Sequence, residues 1–170
     1  MKPHSLPAYR LPGRPLRAPG FTLVELMVTI AVSAILLGLA LPSFSGFIKS
    51  QAVRTASSDL NAALIFARSE AIKRNSDVVI TPASGGWQNG WTVTVTAVAG
   101  VDSTASTTTL GSQASFSGLT ITGPTGGLTY GSDGRLAGTT MPTFQISGSA
   151  STRCVSVGLS GVPMSKTGSC

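Results

Sequence analysis

The chain has 170 residues, with twelve Lys and Arg against six Asp and Glu, a formal net charge of +6 and a sequence pI near 10.0. At 42% hydrophobic and only 11% charged residues it is too apolar for a disordered polyelectrolyte, and its length suits one globular domain. With one histidine, His4, and two cysteines, it lacks the ligands of a metal centre, and no metal or cofactor is expected.

Residues 1–20 carry Lys2, Arg10, Arg14 and Arg17, the prolines Pro3, Pro7, Pro12, Pro15 and Pro19, and no acidic side chain. This composition is that of a leader, whose positive charge holds it on the cytoplasmic side while the next segment enters a membrane. Phe21 to Leu41 is that segment, an apolar run which as a helix covers about 32 Å and can cross a hydrocarbon core of about 30 Å once. Glu25 stands near its start. An ionised Asp at a bilayer centre costs about 2.5 to 3.5 kcal/mol, and a Glu near a helix end costs less but still requires a partner, for which an amine is the natural choice. Two plainer readings stand beside this one. The first is an ordinary secretory signal cleaved near Gly38-Leu39-Ala40, and the second is a simple anchor whose acid reaches the interface.

The helix is expected to continue past the membrane. Pro42 lacks an amide hydrogen and removes the bond to the Gly38 carbonyl, so a kink or soft segment is expected over 38–42. Beyond it Val53, Ala56, Leu60, Ala63, Leu64, Ala67 and Ala71 recur at helical spacing, with Arg54, Asp59, Arg68, Lys73 and Arg74 mostly on other faces. Asn75, Ser76 and Asp77 end the helix before Val78-Val79-Ile80.

From Val78 to Thr152 the only charged residues are Asp102, Asp133 and Arg135, and Ser, Thr and Gly dominate. Trp91-Thr92-Val93-Thr94-Val95-Thr96 alternates as a half-buried strand does, after Gln88-Asn89-Gly90, whose Asn-Gly pair favours a hairpin turn. Further strands are predicted at 116–122, 128–130, 143–147 and 153–159, between Gly-Pro and Ser-Asp-Gly turns. Residues 97–115 read as a loose polar loop.

The basic leader followed by Gly20-Phe21-Thr22-Leu23-Val24-Glu25 resembles the class III signal of type IV pilins and type II secretion pseudopilins. Ala67-Arg68-Ser69-Glu70-Ala71-Ile72-Lys73-Arg74-Asn75, Gly86-Trp87-Gln88-Asn89-Gly90-Trp91 and Tyr130-Gly131-Ser132-Asp133-Gly134-Arg135 narrow the resemblance to the GspH/FimT group of minor pilins and pseudopilins. The resemblance implies cleavage by a prepilin peptidase between Gly20 and Phe21, N-methylation of Phe21, and pairing of Glu25 with the N-terminal amine of a neighbouring subunit. It implies other minor and major pilins or pseudopilins and an inner-membrane assembly platform as partners, and no catalysis. The expected fold is α+β and pilin-like, a long N-terminal helix on a small, mostly antiparallel sheet. The expected divisions are a leader at 1–20, a transmembrane helix at 21–48, its amphipathic continuation at 49–77, and a β-rich periplasmic domain at 78–170. Within the motifs, Trp87 and Trp91 read as core and hairpin packing, and the Asp-Gly-Arg segment as a turn.

An oxidising compartment beyond the inner membrane favours a Cys154–Cys170 disulfide over a redox or metal pair. It would stabilise the domain by about 3 kcal/mol on the chain-entropy account.

Catalysis finds no other support in the residues. His4 lies in the leader, and Asp59 and Glu70 stand about 16 Å apart along one helix. Phosphate-binding glycine loops, zinc-binding helix motifs and serine elbows are lacking.

Three functions are carried forward: priming of type IV pilus assembly near the filament tip, service as a pseudopilin in type II secretion, and reception of DNA. The Ser/Thr/Gly-rich sheet region and tail cysteines favour the pilus side. DNA reception is weakened because removing the leader leaves eight basic against six acidic residues. Its candidate contacts are Arg153 and Lys166, and Gly161-Val162-Pro163-Met164 stands where DNA-binding relatives carry Gly-Arg-x-Arg.

Overall fold

The computed structural model describes residues 20–96 and 107–170, with side chains omitted for residues 39–45 and Thr96. Residues 1–19 of the expected leader and 97–106 of the expected loop lie outside the described residues. The chain divides into two compact units, one ending at Ala40 and one running from Leu41 to Cys170. Helix α1, Leu23–Arg74, contributes to both.

In the first unit Thr22 caps the helix. Its hydroxyl accepts a hydrogen bond from the Glu25 amide at 3.2 Å, and its carbonyl accepts one from the Leu26 amide at 3.2 Å. Thr22-Leu23-Val24-Glu25 thus has the spacing of a capping box, with the acid in the first turn, where the positive end of the helix dipole favours it. Every residue from Gly20 to Gly38 is exposed. Among the described residues no helix is long and apolar enough to cross a membrane, and the far end of the predicted span, 39–41, falls where side chains are outside the description. The helical backbone continues through Pro42, while the kink expected over 38–42 falls largely on that same segment.

In the second unit the apolar stripe is buried as the spacing demanded. Val53, Ala56, Leu60, Leu64, Ala67 and Ala71 have no exposed surface, and Ala63 is half-buried. The helix ends in a Schellman arrangement. Asn75 takes φ +49°, its amide donates to the Ile72 carbonyl at 3.3 Å, and the Ser76 amide donates to the Ala71 carbonyl at 3.2 Å. Asparagine suits this place because its short polar side chain tolerates the left-handed region.

Eight strands form two antiparallel sheets in place of the single small sheet expected. They are β1 (Val78–Pro82), β2 (Trp91–Thr96), β3 (Thr107–Gln113), β4 (Thr120–Thr122), β5 (Leu128–Tyr130), β6 (Thr143–Ser147), β7 (Thr152–Val157) and β8 (Pro163–Thr167). One sheet has the order β3-β2-β1-β5 and the other β4-β6-β7-β8. The helix stripe shares one buried cluster with Val78, Ile80, Trp91, Val93 and Tyr130 of the first sheet and Ile121, Phe144, Ile146, Val155 and Val157 of the second. Trp87 packs edge-on to Phe144 at 4.8 Å between ring centres, and its indole donates to the Pro124 carbonyl at 2.9 Å. Trp87 and Trp91 are therefore packing residues.

Three local expectations are corrected. Asn89-Gly90 does not form a tight hairpin turn. Trp87–Asn89 is a 3-10 turn in which only Gly90 of that pair has positive φ, and β1 and β2 first pair at Pro82 and Trp91. Second, residues 107–113 of the expected loop are strand β3. That segment lacks apolar alternation, but its threonines favour extended backbone, and hydrogen bonding to β2 orders it. A bulge between Val93 and Thr94 leaves Leu110 without a β2 partner, so it can pack against the core. Third, the tail after Gly161 is strand β8, ordered by pairing with β7. The predicted strand at 116–122 narrows to β4, and that at 153–159 shifts to β7.

Candidate functional site

The N-terminal segment has a simple geometry. Gly20 and Phe21 precede the helix, and Phe21 is 80% exposed. Among the described residues, its chain neighbours aside, no atom lies within 4 Å of where a Gly20 side chain would begin. The Gly20–Phe21 peptide thus lies just before the helix, with both residues exposed. Glu25 follows within one turn, exposed, and its carboxylate makes no hydrogen bond or ion pair among the described residues. Leu23, Val24, Met27, Ile30, Ile35 and Leu37 around and beyond it are all more than half exposed. Among the described residues the acid is thus unpaired, on an uncovered apolar helix. The sequence signal for Thr22 as the cap was its place three residues before Glu25, which the sequence reading did not use.

At the other end of the helix two of the sequence motifs dock on each other. Arg68 Nε donates to the Gly134 carbonyl at 3.0 Å. The 130–135 turn is closed by the Gly134 amide on Gly131 O at 2.8 Å and the Gly131 amide on Arg135 O at 2.9 Å. Asp133 Oδ1 accepts from the Arg135 amide at 3.0 Å, so Asp133 is committed to the turn itself. Glu70 is nearly buried and bridged by Arg74 Nε at 2.6 Å and Lys73 Nζ at 3.5 Å. The Arg74 hydrogen bond, outweighing partial burial and aided by the two positive charges, holds its carboxyl below the usual carboxylate value.

Cys154 and Cys170 are joined, with Cα atoms 5.1 Å apart. The bond pins the chain end beside β6, where Cys170 Sγ lies 3.3 Å from the Phe144 carbonyl. Arg153 and Lys166 are not brought together. Arg153 pairs across the ladder with Thr167 and Lys166 with Cys154, so the two cations point to opposite faces of their sheet. Asp59 and Glu70 likewise stay apart on α1, and among the described residues no cluster of three or more His, Cys, Asp or Glu side chains could hold a metal.

A family profile described as type II transport protein GspH matches residues 56–161, more than half of the chain. The chain belongs to the GspH family. A second profile, the prokaryotic N-terminal methylation motif, matches residues 17–41 and so includes Gly20, Phe21 and Glu25. Among solved structures, this GspH-family chain is similar to the type IV minor pilin FimU of Pseudomonas aeruginosa. The identity is 25%, over 71% of this chain and 92% of that one, with a TM-score of 0.57. A second crystal form of FimU matches at 24% identity and a TM-score of 0.54, covering 66% of this chain and 91% of that one. The minor pseudopilin EpsH of the Vibrio cholerae type 2 secretion system is also found, at 17% identity and a TM-score of 0.47, over 68% of this chain and 96% of that one. No curated protein matches.

Membership makes this a structural subunit of the minor pilin and pseudopilin kind, not an enzyme, with the pilin-like fold anticipated from its sequence. GspH-family members assemble with other pilins or pseudopilins, and the methylation motif implies membrane anchoring.

Proposed function

We propose that this chain is a minor pilin that primes type IV pilus assembly at or near the filament tip. The observation that carries this reading is the likeness to FimU, which spans 92% of that minor pilin at 25% identity. In this account the protein waits in the inner membrane as a single-pass subunit, with the β-rich domain in the periplasm. Prepilin peptidase cuts the Gly20–Phe21 peptide, and the new Phe21 amine is methylated. Subunits then pack their apolar helices side by side, and Glu25 meets the amine of a neighbour. Charge neutralisation is what makes that packing favourable, because a carboxylate facing hydrocarbon alone would be costly. The partners are other minor and major pilins and the inner-membrane assembly platform.

Mass spectrometry of the exported protein tests the processing step. It is expected to begin at N-methylated Phe21, and any other start overturns the account. Glu25→Ala is expected to remove the protein from sheared filaments, whereas unchanged incorporation would refute charge pairing. For priming, deletion is expected to reduce the count of surface filaments.

A second reading, a pseudopilin of a type II secretion system, rests on the family's description as a type II transport protein. Deletion distinguishes the two, since a secretion defect with normal filaments belongs to the second.

A further inference from the structure

Between the second part of α1 and strands β7 and β8 lie two hollows of about 440 and 320 Å³ that share Gln51, Arg54 and Arg153. The larger hollow is crossed by a Ser57–Ser165 hydroxyl contact at 3.0 Å, which joins helix to edge strand. Two features set this groove apart from an ordinary wet surface. First, Arg54 and Arg153 converge on it from different elements, and neither guanidinium is engaged by a carboxylate among the described residues. Second, Arg153 Nε and Asn61 Oδ1 are shielded from solvent without a partner among the described residues, one a donor and the other an acceptor, and both residues line the larger hollow. Polar groups left unmatched in this way are costly where they stand, so a ligand that both accepts and donates gains by drawing the two side chains toward the hollow.

We propose that this groove binds an acidic peptide segment, its carboxylate on the Arg54 and Arg153 guanidiniums and a peptide group matching Arg153 Nε and Asn61 Oδ1. Under the assembly role above, on which the identity of the ligand rests, the segment belongs to a neighbouring subunit. A carboxylate is favoured because guanidinium binds it in a paired geometry, and a peptide because its amide carries the donor and acceptor that the two orphan atoms lack. Nucleic acid fits less well. Lys166 faces the other side of the sheet, so only Arg54 and Arg153 are available, enough for one carboxylate but not for the several phosphates that DNA binding engages.

The test uses the full chain, nitrogen-15 labelled in detergent micelles, with the arginine Nε–Hε resonances as reporters. A short peptide of alternating Glu and Gly is titrated beside its Gln counterpart and a single-stranded oligonucleotide. The Glu peptide is expected to shift the Arg54 and Arg153 signals saturably, with about tenfold weaker binding in Arg54→Gln and Arg153→Gln. Lys166→Gln is expected to bind as the parent does. Arg54 is exposed, so Arg54→Gln keeps the test readable should Arg153→Gln misfold. Absence of saturation, equal shifts with the Gln peptide, or tighter binding of the oligonucleotide would overturn the proposal. Filament incorporation that still depends on Glu25 would then leave the assembly role standing. A chain that binds the Glu peptide but enters no filament would sink that role alone.

Discussion

Arg153 and Lys166 stand on neighbouring strands one register step apart and point away from each other. Arg153 faces the helix with its ladder partner Thr167, whereas Lys166 shares the outer face with Cys154. A phosphate backbone lying on either face meets one of them, and counterion release from so few contacts is small. Gel shifts with the full chain are therefore expected to show weak DNA binding that vanishes as salt rises from about 50 to about 200 mM. Arg153→Glu and Lys166→Glu should each change it slightly and without synergy. Strong binding abolished only by the double reversal would show that the two cations act together after all.

Tyr130 has no exposed surface, and its hydroxyl has no hydrogen-bond partner among the described residues. Burial pushes its pKa up to about 12, opposed in part by the Arg68 charge. The folded state thus holds the phenolic proton more tightly than the unfolded chain. That stabilisation is complete below the ordinary tyrosine value of 10.0 and is lost as pH rises toward about 12. From Phe21 onward Tyr130 is the only tyrosine, so an ultraviolet tyrosinate titration reads it alone. Ionisation near 10 in the folded protein would contradict the burial.

Glu70 provides the acid counterpart. Its pKa lies below 4.5 in the fold, chiefly through the Arg74 hydrogen bond, so its contribution is present above that value and is lost as pH falls through the folded one. Glu70→Gln is expected to flatten the loss of thermal stability below pH 4.5, and a parallel acid limb in parent and variant would refute this.

Cys170→Ser releases the chain end from β6. On the chain-entropy account the loss is about 3 kcal/mol, measured as a lower urea midpoint, and reduction of the parent should reproduce it. An unchanged midpoint would mean that the β7–β8 ladder alone holds the tail.

Gly161 has φ +80°, and a side chain there would run into the Gly134 carbonyl, which Arg68 already engages. Gly161→Ala should cost on the order of 2–3 kcal/mol through backbone strain and displacement of that turn. Equal stability of parent and variant would show that the two turns can separate without loss.

The helical stripe was legible because period is a property of neighbouring residues: Val53, Leu60 and Leu64 are buried where spacing alone put them. Strand β2 was readable for the same reason. Strand β3 was not, since Thr107 to Gln113 has no apolar face of its own, and its order comes from a ladder to β2. Asn89-Gly90 misled because the dipeptide favours a tight turn only when the flanking strands meet there, and here they first pair at Pro82 and Trp91.

The local order of residues by itself determined the leader-like start, the acid at the head of an apolar helix, the helix stripe and the availability of two cysteines. Each of these is written within a few turns of chain or in composition. Tertiary structure alone decided that Arg153 turns toward Arg54 and Asn61 while Lys166 turns away, and that Arg68 reaches the 130–135 turn. Those relations join residues far apart in sequence, and the hydrogen-bond register that sets which face each side chain takes exists only once the strands have paired.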